Sequence, residues 1–147
     1  KFAFDAIHKT KCCEVLQDTK LPSCLGTRFG SLVTTLPPTL HLKKTYEYHI
    51  VMQYLLPIMV QHAYPKHRDL RRAILQVSLY FNLICSKVLV REHVQAAKDM
   101  ISEALCVLVH YFSTDFFDIS IHLMVHLADQ ALLCGPANYI WMYPFER

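Results

Sequence analysis

Two histidines four residues apart, His122 and His126, stand in the run Asp118-Ile119-Ser120-Ile121-His122-Leu123-Met124-Val125-His126-Leu127-Ala128-Asp129. On a helix, Asp118, His122 and His126 are successive i,i+4 neighbours and form one polar stripe. Asp129 follows His126 by three residues. Each imidazole is thus expected to have a carboxylate close enough to orient its second ring nitrogen, as metal-ligating His requires. Two such His can share one zinc ion, although structural zinc takes four ligands and catalytic zinc takes three and a water. The chain has no Cys-x-x-Cys, and the adjacent Cys12 and Cys13 make a poor chelating pair in a helix. His-Glu-x-x-His is missing as well, because positions 123 and 124 are Leu and Met. Zinc on His122 and His126 is therefore one reading. A partly exposed polar stripe bonded to its own carboxylates is the other, and spacing alone favours it.

A second candidate is basic. Lys66, Arg68, Arg71 and Arg72 crowd one helical start with only Asp69 to oppose them, and such a cluster can grip phosphates. Its commoner meaning is the solvated face of an amphipathic helix. A third lies at the end, where Pro144 can open a helix with Glu146 in its first turn. A Glu there ordinarily compensates the helix dipole. Phe116-Phe117 beside Tyr111-Phe112 could stack bases, but at helical spacing they read as core. No Gly-x-x-x-x-Gly-Lys, Gly-x-Gly-x-x-Gly or Gly-x-Ser-x-Gly is present, which removes the usual support for nucleotide-dependent and hydrolase functions.

The elements that must position these groups are helical. From Tyr46 to Leu133 apolar residues recur at three and four, as in Ile74, Val77, Leu79, Phe81, Ile84 and Cys85. Helices are expected over Tyr46 to His62, Lys66 to Lys87, Glu92 to Tyr111 and Phe116 to Leu133. Pro57 should kink the first or divide it. Pro65, Ser113-Thr114-Asp115 and Cys134-Gly135-Pro136 supply starts and stops. Residues 1–40 differ: a short helix near Lys9 to Gln17 is followed by Pro22, Gly26, Gly30 and Pro37-Pro38. The expectation is an all-α fold, an irregular bundle of about four to five helices. A loop-rich N-terminal arm (1–40) leads into a helical domain (41–147).

At 147 residues the chain suits a single core. With 53% hydrophobic and only 18% charged residues it should collapse rather than remain disordered. Its longest apolar stretches, such as Ile50 to Val60, fall short of the ~20 residues of a membrane span. No secretory leader is visible. The six Cys are scattered, several in apolar helical contexts, so a reduced intracellular setting is expected. A net charge of +3 permits nucleic-acid contact without arguing for it.

Several strings together resemble a plant family, the domain of unknown function that follows the transposase core in CACTA-type (En/Spm-like) transposon proteins. They are Tyr48 to Pro57 (YHIVMQYLLP), Tyr80 to Val88 (YFNLICSKV), Phe116-Phe117-Asp118 with His122 to Leu127 (HLMVHL), and Leu133 to Pro136 with Trp141 to Arg147 (WMYPFER). The likeness runs over about residues 9 to 147. Tyr46-Glu47, Ile140, and Phe112-Ser113 with Asp115 depart from the family's pattern.

The resemblance implies a helical segment of a transposon protein that supports DNA transposition and is not catalytic alone, truncated at its C-terminus. Its partners would be the remaining transposase domains and transposon DNA, with no membrane and no nucleotide, in the nucleus. Divalent metal would belong to the complete transposase, held by three carboxylates. By analogy with the V(D)J recombinase, His122 and His126 match paired zinc-binding His, and Glu146 matches the last catalytic Glu. An α-helical protein-interaction module, or an inactive transposon relic, is the alternative.

Overall fold

The computed structural model describes residues 6–20, 33–35, 37–112 and 117–139. These fall into two compact units, one on either side of the Arg68–Asp69 bond.

In the first unit, α1 (Ala6–Asp18) turns Cys12, Cys13 and Leu16 inward. A hairpin follows, β1 (Val33–Thr35) pairing antiparallel with β2 (Pro38–Leu40) in the register Val33↔Leu40 and Thr35↔Pro38. Pro38 occupies the first position of its strand, where a missing N–H is tolerated. The Thr34 hydroxyl donates to the Pro37 carbonyl across the turn (2.9 Å). Val33 points into the core while Thr34 faces solvent, the alternation of a half-buried strand. This hairpin lies within the region expected to be loop-rich. Three-residue strands that together hold three Thr and a Pro carry almost no periodic signal.

The second helix of this unit changes its winding midway. It runs as α2 (Thr45–Ile50), a π-helical turn (Val51–Leu55) and α3 (Leu56–Ala63). The cause is Pro57 at the start of α3. Proline has no N–H to give and its ring crowds the carbonyl four residues back, so the turn before it widens to i,i+5 bonding, with Leu56 N–H donating to Val51 O. The expected break at Pro57 thus takes the form of a π turn. Glu47 secures the helix start: its buried Oε2 accepts from the backbone N–H groups of Lys43 (2.7 Å) and Lys44 (3.0 Å). Lys44 has no side-chain acceptor, so only the Glu half of a capping box exists. The core joins Cys13, Leu16, Val33, Ile50, Val51 and Leu55.

In the second unit, α4 (Arg68–Ile84) buries Leu70, Ala73, Val77, Tyr80 and Ile84, spaced alternately by three and four. Leu79, read from the sequence as part of the apolar recurrence, is instead exposed, because its direction lies off that stripe. α5 (Arg91–Tyr111) and α6 (Ile119–Cys134) pack along each other. Ala97 and Ala104 on α5 and Ala128 and Ala131 on α6 are buried, and such small side chains let two helices approach closely. The described residues thus form an all-α fold of five helices, counting the α2–α3 helix as one, with one hairpin. No described helix is long and apolar enough to cross a membrane.

Candidate functional site

α6 brings His122 and His126 together. Asp118 caps the helix: its Oδ1 accepts from the N–H groups of Ser120 (2.9 Å) and Ile121 (3.2 Å), satisfying two donors that have no intrahelical partner. At the other end Gly135 closes the helix at φ 85°, a region that favours glycine, and donates to Ala131 O (3.0 Å). Between these caps the two imidazoles sit one turn apart on the exposed side. Their Nε2 atoms are 3.2 Å apart, with ring centroids at 5.0 Å and planes inclined by 72°.

The carboxylates do not do what the sequence suggested. Asp118 is spent on the helix cap, and Asp129 forms an ion pair with Lys98 of α5 (Nζ–Oδ1 2.7 Å). Neither bonds to an imidazole, so the two His are positioned by the helix and by each other. The expected cap at Ser113-Thr114-Asp115 lies outside the described residues, and α6 begins at Ile119 rather than Phe116. Among the described residues no group of three or more His, Cys, Asp and Glu side chains converges.

Cys12, Cys13 and Cys85 are not reactive groups. Burial pushes the thiols of Cys12 and Cys13 up from their ordinary range, with Cys13 adding to the effect on Cys12 and Lys9 opposing it at Cys13. Cys12 Sγ donates to Met59 O (3.4 Å). The Cys85 thiol is pushed up to about 11 by burial. All three remain protonated at neutral pH, which suits structural thiols and not nucleophiles or ligands. Cys12, Cys13, Cys85, Cys106 and Cys134 are unpaired with one another.

The basic cluster opens α4. Arg68, Arg71 and Arg72 occupy its first five positions at i, i+3 and i+4, and Lys66 stands in the turn just before. Lys66, Arg68 and Arg72 are exposed, and none of the four pairs with a described carboxylate, Asp69 included. Arg71 is partly buried, and its Nε is enclosed with no hydrogen-bond partner. The α4 N-terminus is also where the helix dipole is positive, so the guanidinium groups of Arg68 and Arg71 in its first turn are held against an unfavourable field.

Two features escaped sequence reasoning. Buried Glu47 had no special spacing to distinguish it, although a Glu three residues into a helix is the usual sign of a cap. A cleft of about 360 Å³, between the α4–α5 turn and the end of α6, is lined by Lys87, Val88, Arg91, Val94, Leu132 and Pro136. Nothing local in sequence links those segments. Glu146 lies outside the described residues.

Residues 84–147 match a family described as Domain of unknown function (DUF4218). The matched stretch begins at the last residue of α4 and takes in α5, α6 and the His pair. No curated protein and no solved structure matches the chain.

Proposed function

We propose that this chain is a helical segment of a CACTA-type transposon protein of plants that supports DNA transposition in the nucleus, holding phosphate through Lys66, Arg68, Arg71 and Arg72 and performing no chemistry alone. The family likeness over residues 84–147, in a domain known from transposon-related proteins, supports the transposon part. The observation that carries the DNA part is the opening of α4. Arg68 and Arg71 stand within the first turn of α4, where a positive charge costs about 0.3–1 kcal/mol against the helix dipole, a cost that an anion placed there would reverse. Phosphate oxygens fit both the N-terminal N–H groups and the guanidinium forks. The chain itself is read as a scaffold. The only carboxylate assigned to catalysis is Glu146, by analogy, and metal-assisted strand cleavage needs several.

Binding to duplex DNA, followed by fluorescence anisotropy over roughly 50–200 mM salt, tests this. Four phosphate contacts give a slope of about −3.6 in log affinity against log salt. Arg68→Glu with Arg72→Glu should flatten that slope by about two and weaken binding to all sequences alike. Affinity that ignores salt, or survives the double reversal, would exclude the DNA role and leave an α-helical interaction module as the reading.

A further inference from the structure

We propose that the cleft between the α4–α5 turn and the end of α6 is a docking site for a short acidic and apolar segment of a partner protein. One aliphatic or aromatic side chain of that segment fills the cleft, and carboxylates beside it meet Lys87 and Arg91. The inference stands apart from the DNA reading, because the 17 residues of α4, roughly 25 Å of helix, separate the cleft from Arg68.

The walls of the cleft are held by local bonds. Ser86 ties the α4–α5 turn: its hydroxyl donates to Val88 O (2.7 Å) and its N–H donates to Leu83 O (3.1 Å). Opposite, α6 closes at Gly135, and the Tyr139 N–H donates to Pro136 O (3.0 Å). Val94, buried on α5, and Leu132 on α6 supply apolar lining between them. A site whose walls stand before binding loses little to ordering.

Charge selects the sign of the partner. Lys87 and Arg91 line the cleft and are exposed, and no Asp or Glu lines it. Among the described residues neither cation forms an ion pair, with Glu92 or any other carboxylate. Lys87 follows the end of α4, where a cation is favourable in any case. Arg91 opens α5, where the helix dipole opposes it and nothing in the fold answers its charge. Two unopposed positive charges at the mouth of an apolar cleft are the complement of carboxylates next to an apolar side chain.

Lining and extent select the class. At about 360 Å³ the cleft falls at the small end of the ~300–1,000 Å³ of ligand sites, so it takes a side chain rather than a whole cofactor. Apart from the two cations its lining is aliphatic, with no ring to stack a nucleobase and no side-chain amide or hydroxyl to read one. The exposed apolar surface also runs on from the lining. Val88 is 77% exposed, and Leu133 and Tyr139, next to Leu132 and one turn past Pro136, are 86% and 71% exposed. A small ligand seated in the cleft would leave that surface in water, whereas a protein segment can cover it.

Fluorescence anisotropy on the 147-residue chain tests this with two labelled peptides, one alternating leucine with glutamate and one alternating phenylalanine with aspartate. At least one should bind, more weakly as salt rises. Replacing its acids by lysine, or its apolar residues by serine, should weaken binding roughly tenfold or more. Methyl NMR of the labelled chain should place the shifts at Val88, Val94 and Leu132. Lys87→Glu with Arg91→Glu should weaken the peptide roughly tenfold, and Val88→Ser several-fold. All three side chains are exposed and a Glu at Arg91 suits the first turn of α5, so circular dichroism should be unchanged. Binding by neither peptide, equal binding of the acidic and lysine versions, affinity that survives the double reversal, or shifts elsewhere on the chain would overturn the proposal. Duplex DNA that displaces the peptide from an Arg68→Glu/Arg72→Glu chain would overturn it as well, by giving the cleft to nucleic acid.

Discussion

Removing one oxygen atom from Tyr80 should change stability in opposite directions at neutral and alkaline pH. Tyr80 is fully buried on α4, and its hydroxyl donates to the Met124 carbonyl on α6 at 2.6 Å. Tyr80→Phe deletes that bond but strands no acceptor, because Met124 O keeps its intrahelical partner within α6. The loss at pH 7 should therefore be about 1 kcal/mol, the net worth of a hydrogen bond whose deletion leaves nothing unsatisfied. Burial pushes the phenol from 10 up to about 12, with the Ala128 backbone N–H working against the rise and the Asp129 charge adding to it. The folded chain thus holds this proton more tightly than the unfolded chain does. That contribution is fully present below pH 10 and is lost as pH climbs from 10 to about 12. A shift of two units corresponds to about 2–3 kcal/mol. The variant has no phenol to ionise, so it should overtake the natural chain near pH 11 and be more stable by about 1–2 kcal/mol at pH 12. Urea unfolding followed by circular dichroism, repeated on both proteins from neutral pH upward, measures this gap, and the rise of the Cys85 thiol cancels because both proteins carry it. A gap that stays constant across the alkaline range would show that Tyr80 does not titrate in a buried setting and would refute the α4–α6 contact.

Substitutions at two further positions probe the two units separately. Leu16→Ala removes a side chain that is 1% exposed at the centre of the first unit's core, and should cost about 2–5 kcal/mol in chemical unfolding. A cost under ~1 kcal/mol would mean that α1 is not seated on the hairpin and α3 as described. Asp118→Ala should lower stability by about 1 kcal/mol through the lost cap, whereas Asp118→Asn, which keeps an acceptor, should lose only a fraction of that. Equal losses in the two variants would indicate that the charge of Asp118 matters rather than its cap.

The helices could be read because their signals are local and repeated. Val94, Ala97, Ile101, Ala104 and Leu108 mark one face of α5 over several turns, and its expected and observed limits differ by one residue. Gly135-Pro136 likewise announced the end of α6, since a positive φ followed by proline is written in two adjacent residues. The hairpin could not be read, because Val33↔Leu40 pairing is a relation between two very short segments. The start of α6 was misplaced for a different reason. Asp115 and Asp118 are equally good capping residues by type, and spacing alone does not choose between them.

The same ambiguity runs through the polar stripe of α6. By spacing, Asp118 and Asp129 belong to the histidines, since all four side chains fall within reach along one helix. What assigns them elsewhere is competition for the carboxylates. Two backbone donors at a helix start have no other partner, and Lys98 is carried to Asp129 by the packing of α5 on α6. Spacing states which groups can meet, and the neighbours' unsatisfied valences settle which do. For His122 and His126 no competing donor or acceptor intervenes, so their Nε2 atoms face each other at 3.2 Å. The part of the stripe that the helix period alone determines is therefore the part that kept its predicted geometry.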